Sequence, residues 1–205
     1  MTFQLLFLAI TYLISAVPFG LVLAQVFAKT DIRQLGSKNI GATNVTRVLG
    51  KKLGLATLIL DGLKGAIMVV LAKIFFADAQ NIDVFLPIVA AVAVVGHIYP
   101  VYLKFKGGKG VATTLAVLFA LDIKLGFGAA LTWLAVFALF RISSISSIFA
   151  VLSSVILSYC LQSSISQIIV CCFLFFLVLI RHKENIIRLK EGKESSFKEK
   201  NTNAN

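Results

Sequence analysis

The chain has 205 residues, of which 59% are hydrophobic and 14% are charged. Soluble domains carry roughly 25% charged residues, so most of this chain is expected to face lipid or other apolar helices. The net charge of +11 does not indicate nucleic-acid binding, because the basic residues lie between apolar runs, where the positive-inside rule places them in membrane proteins. The simplest prediction is a single all-α membrane domain over residues 1–205.

Apolar segments follow one another along the chain and are separated by short polar or glycine-rich joints. They cover residues 3–28, 53–76, 84–103, 111–121, 125–140, 145–161 and 165–180. They predict about seven transmembrane helices, and we expect the first to be an uncleaved span rather than a signal peptide. The fourth segment is too short to cross a bilayer upright at about 1.5 Å per residue. A five-span alternative therefore stays open, in which residues 111–140 and 145–180 each form one long helix.

The distribution of lysine and arginine predicts the orientation of these spans. One set of joints, around residues 29–52, 104–109 and 181–200, carries most of the basic residues, while the opposite joints carry only Lys73 and Lys124. This pattern predicts an external N-terminus and a cytoplasmic C-terminus. Seven spans place the joint after the fifth apolar segment on the cytoplasmic side, and five spans place it on the other side. Residues 190–205 are polar without an apolar period, so they are expected to form a flexible cytoplasmic tail.

The first predicted cytoplasmic loop has the sequence GSKNIGATNVTR at residues 36–47. Its glycines allow tight turns, its polar side chains offer hydrogen bonds, and its arginine presents a forked donor, which together suit a phosphate or another oxyanion. By composition alone, an ordinary polar connection between two spans is an equally good interpretation. The residues that offer these donors and acceptors are Ser37, Asn39, Thr43, Asn44 and Arg47.

The second predicted loop has the sequence GHIYPVYLKFKGGKGVAT at residues 96–113. Gly107, Gly108 and Gly110 flank Lys109, and a helix is expected to begin directly after them. Backbone N–H groups and a helix N-terminus can therefore meet an anion beside a lysine. The loop is not a Walker A motif, because the lysine is followed by glycine rather than by serine or threonine. It predicts an anion site and disfavours nucleotide hydrolysis.

The stretch RISSISS at residues 141–147 follows the fifth apolar segment. Small residues let transmembrane helices approach closely, and Ser146 and Ser147 are interpreted as packing residues of this kind. Ser144 lies nearer the membrane edge and is a candidate for the functional site.

Polar residues also follow the last apolar segment, in the stretch RHKENIIRL that begins at Arg181. If the helix continues, His182, Asn185 and Arg188 are spaced three apart and share one face. Arg181 itself is interpreted as an interfacial anchor.

Asp61 and Lys64 lie three residues apart inside the second apolar segment. Ionisable residues within a span are costly, so the two are expected to form an ion pair near its inner end. A supporting role for this pair is favoured, either structural or in orienting the site.

Several enzyme classes are disfavoured by absent motifs. The sequence contains no Gly-x-Ser-x-Gly elbow, and neither His97 nor His182 is followed by the aspartate of the His-x4-Asp arrangement of coenzyme-A-dependent glycerolipid acyltransferases. No metal or other cofactor is predicted.

Cationic and amide donors at a membrane edge suit two phosphates and a lipid chain. An anion transporter stays as an alternative, although it needs polar groups through the whole membrane depth.

The stretches quoted above, together with LDGLKGA at residues 60–66 and RHKENIIRLKEGKE at residues 181–194, resemble the motifs of the PlsY family, the membrane acyl-phosphate:glycerol-3-phosphate acyltransferases of bacteria. They occur in the family's order. The resemblance implies seven helices, an active site on the cytoplasmic face of the bacterial inner membrane, an acyl-phosphate donor, no cofactor, and lysophosphatidate and phosphate as products. It also implies a functional link to a PlsX-type enzyme that produces the acyl-phosphate.

The resemblance further implies roles for individual residues by their position in the motifs. Direct attack of the glycerol hydroxyl on the acyl-phosphate needs positioning and charge stabilisation rather than an acyl-enzyme. The residues implied to lie near the reacting centre are Ser144, His182 and Asn185. Those implied to bind the substrates are Ser37, Asn39, Thr43, Asn44, Arg47, Lys106, Gly107, Gly108 and Lys109.

Overall fold

The computed structural model describes residues 2–196, which form ten α-helices and two short 3-10 helices. The α-helices are α1 Thr2–Ser15, α2 Phe19–Ala28, α3 Ala42–Leu49, α4 Lys51–Phe75, α5 Ile82–Ile98, α6 Val111–Leu121, α7 Ile123–Phe140, α8 Ser143–Cys160, α9 Ile165–Arg181 and α10 Lys183–Lys190. The 3-10 helices are Ile32–Gln34 and Val101–Leu103. Every predicted apolar segment coincides with one or two of these helices, which confirms the all-helical fold.

Five helical segments within residues 2–196 are long and apolar enough to span a membrane. They are Thr2–Ala28, Lys51–Phe75, Ile82–Leu103, Ile123–Phe140 and Ser143–Cys160. Helices α9 and α10 are bent by 56° at His182, and the pair makes a sixth candidate if it is one span. The count of seven spans and the orientation stay predictions.

The two long helices of the five-span alternative are not formed, so that prediction is wrong in its structural detail. The side chain of Asp122 accepts a hydrogen bond from the backbone N–H of Lys124 at 2.7 Å and begins a new helix after α6. The ring centroids of Phe119 and Phe127 lie 5.1 Å apart, whereas residues eight apart in a straight helix are about 12 Å apart. The chain therefore reverses at Asp122. Helices α8 and α9 likewise pack against each other after the turn at residues 161–164.

Helix α5 lies at the centre of the bundle and contacts α1, α4, α6 and α9. Small side chains make this close packing possible: a Cβ added to Gly96 would lie 2.8 Å from the backbone oxygen of Tyr12. Large apolar side chains such as Phe3, Leu131 and Ile169 are exposed on the outer helices. Burial of small residues and exposure of large ones is the pattern of a bundle surrounded by lipid.

Four polar segments meet at one end of the bundle, which we call the loop face: residues 29–50, 99–110, 141–144 and 181–196. Hydrogen bonds join them pairwise. The hydroxyls of Thr43 and Ser143 lie 3.2 Å apart, and Arg181 Nη2 donates to the backbone oxygen of Gly107 at 3.1 Å. Segments far apart in sequence therefore form one polar surface at the end of an apolar bundle.

Candidate active site

A cavity of about 910 Å³ opens on the loop face. Its size falls within the range of roughly 300–1,000 Å³ that is usual for ligand sites. Polar residues of all four loop-face segments line most of it, and Leu58, Leu115 and Trp133 add an apolar wall. The cavity thus combines a polar chamber with an apolar wall, as a site for a charged and partly apolar ligand requires.

The first loop is folded around the buried side chain of Asn44. Its amide nitrogen donates to the backbone oxygens of Ile32, Leu35 and Asn39, at 3.3, 3.0 and 2.8 Å, and its oxygen accepts from the N–H of Ser37 at 2.8 Å. Since the amide group is occupied by the loop's own backbone, Asn44 fixes the loop's shape. In this shape, the loop presents the polar side chains before and after Asn44 to the cavity.

The second loop contains glycines because its backbone lies in close contact with the helix before it. The N–H of Gly107 donates to the oxygen of Ile98 at 3.0 Å, and the N–H of Gly108 donates to that of His97 at 3.3 Å. A Cβ on Gly108 would lie 2.2 Å from Nε2 of His97, a distance that no packed side chain can take. The loop therefore lies flat against α5, and the side chain of Lys109 is directed to the cavity.

Lys109 connects the second loop to the last helix. Its Nζ donates to the side-chain oxygen of Asn185 at 2.5 Å. Burial lowers the pKa of Lys109 to about 8, because the charged form loses hydration; the carboxylate of Glu194 favours the charge and Arg188 opposes it. Lys109 is thus a cation at neutral pH that a bound anion would stabilise strongly.

Asn185 and Ser144 converge on the carboxylate of Glu194. One oxygen of Glu194 accepts from Asn185 Nδ2 at 2.5 Å and from Ser144 Oγ at 2.8 Å, and the other accepts from Arg188 Nε at 2.9 Å. Burial raises the pKa of Glu194, but these hydrogen bonds outweigh it and hold the pKa below its usual value. The three donors are therefore fixed around one oxyanion beside Lys109.

His182 lies in the cavity wall at the bend between α9 and α10 and is 2% exposed. Its Nδ1 is 2.8 Å from the backbone oxygen of Val178. Because a carbonyl oxygen can only accept, Nδ1 carries the hydrogen, and Nε2 of the neutral ring is left as an acceptor. The backbone thereby sets both the tautomer and the orientation of the imidazole.

The structure brings most of the predicted site residues together. Those that line the cavity are Ser37, Asn39, Thr43, Asn44, Arg47, Lys106, Gly107, Lys109, Ser144, His182 and Asn185. Gly108 lies behind the wall against His97. Arg181, interpreted from sequence as an interfacial anchor, instead donates to the second loop.

The described part of the predicted tail, residues 190–196, folds back onto the loop face, and its flexibility stays a prediction. Gly192 has a φ of +68°, a conformation that favours glycine, and it turns the chain back so that Glu194 enters the site. The backbone oxygen of Ser195 then accepts from Arg47 Nη2 at 2.9 Å. Sequence reasoning missed Glu194, and a glutamate two residues after a glycine that follows a basic helix was the available signal. Residues 197–205 of the predicted tail lie outside the described residues.

Comparisons with known proteins point to one family. A family profile described as glycerol-3-phosphate acyltransferase matches residues 5–192. A glycerol-3-phosphate acyltransferase of Ehrlichia canis is 43% identical over 190 residues, covering 93% of this chain and 96% of that protein. One of Myxococcus xanthus is 46% identical over 186 residues, covering 91% and 95%.

Two solved structures share the fold over 95% of both chains. Both are crystal structures of PlsY (YgiH), an integral membrane glycerol 3-phosphate acyltransferase. The glycerol 3-phosphate form has a TM-score of 0.89 and 38% sequence identity. The lysophosphatidic acid form has a TM-score of 0.85 and 37% identity.

Proposed function

The chain belongs to the PlsY family of glycerol-3-phosphate acyltransferases, which are integral membrane enzymes, and from this premise we propose that it transfers an acyl group from an acyl-phosphate to glycerol 3-phosphate. The products are lysophosphatidate and inorganic phosphate. The observation that carries the proposal is the convergence of Lys109, Asn185 and Ser144 beside a cavity with an apolar wall. Such a site can hold phosphate groups and an acyl chain together.

The two substrates bring two phosphates into one cavity, and their repulsion must be offset. Arg47, Lys106, Lys109 and Arg188 all line the cavity. Charge-assisted hydrogen bonds from such groups are about twice as strong as neutral ones. The side chains supply positioning and charge stabilisation, and the apolar wall around Trp133 takes the acyl chain.

Direct attack on the acyl-phosphate fits the hydrogen bonds of the site. Ser144 donates to Glu194, and His182 Nδ1 is held by Val178, whereas an acyl-enzyme mechanism needs a nucleophile paired with a base. Phosphate is a good leaving group, so a held hydroxyl can attack without such a pair. Holding two reactants in line lowers a barrier by about 7–11 kcal/mol.

In the proposed step, the C1 hydroxyl oxygen of glycerol 3-phosphate attacks the acyl carbon. The bond between the acyl carbon and the phosphate oxygen breaks, and its electron pair leaves with phosphate. His182 Nε2 accepts a hydrogen bond from the hydroxyl and aligns it. Burial, and after it the charge of Lys109, lowers the pKa of His182 to about 4. The imidazole therefore stays neutral, and the proton leaves on the departing phosphate.

The far end of the bundle opposes the alternative of an anion transporter. There, the rings of Phe7, Phe76 and Phe85 pack together, with Phe76 and Phe85 centroids 4.8 Å apart and Phe7 and Phe76 centroids 5.4 Å apart. A transporter needs polar groups through the membrane depth, whereas here most of the charged residues that line the cavity belong to the loop face. The acyltransferase is therefore the function that the geometry supports best.

The basic residues of the loop face support its placement in the cytoplasm, with the protein in the bacterial inner membrane. Cys160 is exposed at the opposite end of α8 and provides a natural reporter. In intact spheroplasts, a membrane-impermeant maleimide should label Cys160 and should not label a Lys104→Cys variant lacking Cys160. Labelling of the introduced cysteine alone would reverse the orientation.

A PlsX-type enzyme is proposed as the supplier of the acyl-phosphate. In vesicles given an acyl carrier protein thioester as the acyl source, product should form only when such an enzyme is added. Free palmitoyl-phosphate should remove that requirement. Product formation from the thioester without the supplier would contradict the link.

An initial-velocity experiment tests the reaction and its mechanism together. Palmitoyl-phosphate and glycerol 3-phosphate are varied against each other with purified protein in lipid, and lysophosphatidate is measured. Intersecting reciprocal plots are expected for direct attack, and parallel plots would indicate an acyl-enzyme. The absence of lysophosphatidate at all concentrations would refute the function itself.

A further inference from the structure

Three ionisable residues are buried behind the second loop, and two of them, Asp61 and His97, also line the cavity. The proposed mechanism gives none of them a direct role. Asp61 and Lys64 belong to α4, and His97 belongs to the last turn of α5; they are 1%, 5% and 4% exposed. Lys64 Nζ donates to Asp61 Oδ1 at 2.8 Å, and His97 Nδ1 lies 3.6 Å from the same oxygen. One carboxylate oxygen thus faces a cation on one side and an imidazole on the other.

Stability alone does not account for this cluster. Replacing a buried ion pair by apolar residues of similar volume is often neutral or stabilising, and the cost of such groups is higher inside a membrane. A sequence that keeps them in a span therefore gains something specific from their geometry.

The Lys64 side of the cluster is anchored to a break in the first span. Pro18 separates α1 from α2, and its backbone oxygen accepts from the N–H groups of Leu21 and Val22 at 3.0 Å each. The neighbouring backbone oxygen, that of Val17, accepts a hydrogen bond from Lys64 Nζ at 2.7 Å. Lys64 is held by the backbone of another segment and fixes the carboxylate of Asp61 in turn.

The other side of the cluster reaches the second loop. The His97 ring is the surface on which Gly108 lies, since a Cβ there would be 2.2 Å from Nε2. The backbone of the same histidine accepts the N–H of Gly108. Thr113, in the first turn after the loop, donates to the backbone oxygen of Asp61 at 2.8 Å. The Asp61 carboxylate thus faces the ring on which the loop lies, and the Asp61 backbone holds the helix that follows the loop through Thr113.

We propose that Asp61 is a positioning residue, which fixes the His97 ring beneath Gly108 so that the Gly107–Gly110 backbone and Lys109 are preorganised for a substrate phosphate. The inference rests on the proposed acyl transfer. It deepens that proposal by tracing the geometry of the phosphate-binding loop to an ion pair inside the membrane.

The consequence is a selective effect on substrate binding. Asp61→Asn keeps the size of the side chain and an oxygen for Lys64, but it removes the charge that faces His97. A loop that is less well positioned loses affinity in the ground and transition states alike, so the KM of the substrate whose phosphate it binds rises with little change in kcat. A purely structural role would instead reduce the amount of folded protein and leave both KM values unchanged.

The test uses purified full-length protein in lipid, with both KM values and kcat measured for the wild type, Asp61→Asn, His97→Asn and the double variant. We expect Asp61→Asn to raise the KM of one substrate by about tenfold, with kcat and the other KM changing by less than about threefold. Because Asp61 acts through His97, the double variant should be no worse than His97→Asn alone. Equal KM values for Asp61→Asn and the wild type, or multiplying effects in the double variant, would overturn the proposal.

Thr57→Val is the matched control, because Thr57 is fully buried on the same helix and donates only within it, to Leu53 at 2.8 Å. It should lower the melting temperature without raising either KM. If Asp61→Asn does not fold, Gly108→Ala tests the same contact from the loop side. It should raise the same KM, and its cost should shrink in a His97→Asn background; an undiminished cost would overturn the proposal.

Failure of the proposed function can be distinguished from failure of this inference. If the wild type makes no lysophosphatidate, the proposed function fails. Phosphate binding by the loop can still be measured as the protection that inorganic phosphate gives against thermal unfolding. Protection should be strong in the wild type and Thr57→Val and weakened in Asp61→Asn. Equal protection in all three proteins would refute the positioning role.

Discussion

Neutralising Lys109 should weaken catalysis strongly, and the size of the effect follows from its surroundings. Its Nζ lies 2.5 Å from the oxygen of Asn185 in the cavity wall, where a phosphate oxygen can take the remaining donors. A hydrogen bond between charged groups contributes roughly 1.5–3 kcal/mol. Loss of one such bond corresponds to about 10- to 150-fold in kcat/KM. Lys109→Gln should fall in this range, while Lys104→Gln, an exposed lysine outside the cavity wall, should change kcat/KM by less than about twofold.

The pH dependence provides a sharper test of the same residue. Burial lowers the pKa of Lys109 to about 8, so the free enzyme loses this cation as the pH rises through that value. The kcat/KM for the substrate that it binds should therefore fall above that pH, by up to tenfold per unit. An arginine stays charged throughout this range, so Lys109→Arg should have lower activity but no alkaline decline near this pH.

The assay is lysophosphatidate formation from palmitoyl-phosphate and labelled glycerol 3-phosphate between pH 6 and 10, at low concentrations of each substrate in turn. The reasoning is refuted if Lys109→Gln keeps the wild-type kcat/KM. It is also refuted if Lys109→Arg shows the same alkaline decline as the wild type.

Three further substitutions probe other parts of the site. Glu194→Gln removes the charge that holds Ser144, Asn185 and Arg188. It should lower the free energy of unfolding by about 1–3 kcal/mol and reduce kcat. The melting temperature and the turnover number measure these effects, and substitution of the exposed Glu191 by glutamine is the control. Asn44→Ala removes the amide that shapes the first loop and should abolish most activity, which circular dichroism can separate from loss of helix. Ala112→Leu places a larger side chain in the cavity wall. The ratio of kcat/KM for a shorter acyl-phosphate to kcat/KM for a longer one should rise by at least about threefold. An unchanged ratio would mean that the acyl chain lies elsewhere.

Much of the fold was predictable because it depends on local sequence. Apolar length set the helices, and polar or glycine-rich joints set their ends, so the boundaries at Leu121 and Cys160 agree with the predicted segments to within one residue. The reversal at Asp122 was harder to predict, since a single residue separates α6 from α7 and both helices are predominantly apolar. Contacts between the two helices, such as that of Phe119 with Phe127, show a hairpin rather than a continuous helix.

The site was predictable in its residues but less so in their roles. Asn44 looked like a donor to substrate, yet its amide is occupied by the backbone of its own loop. Glu194 lay in a stretch without any apolar period, and only the turn at Gly192 brings it to Ser144. The contact between His97 and Gly108 joins a helix end to a loop, which no local pattern encodes. Such long-range contacts need the folded chain.

The central claim, that the cavity on the loop face uses an acyl-phosphate to acylate glycerol 3-phosphate, is tested most directly by comparing acyl donors. Purified protein in lipid is given labelled glycerol 3-phosphate with palmitoyl-phosphate, palmitoyl-coenzyme A or palmitoyl carrier protein, and Lys109→Gln and His182→Ala are assayed beside it. Lysophosphatidate from palmitoyl-phosphate alone, strongly reduced in both variants, is the predicted result. Product from either thioester at a comparable rate, or full activity in the variants, would contradict the account.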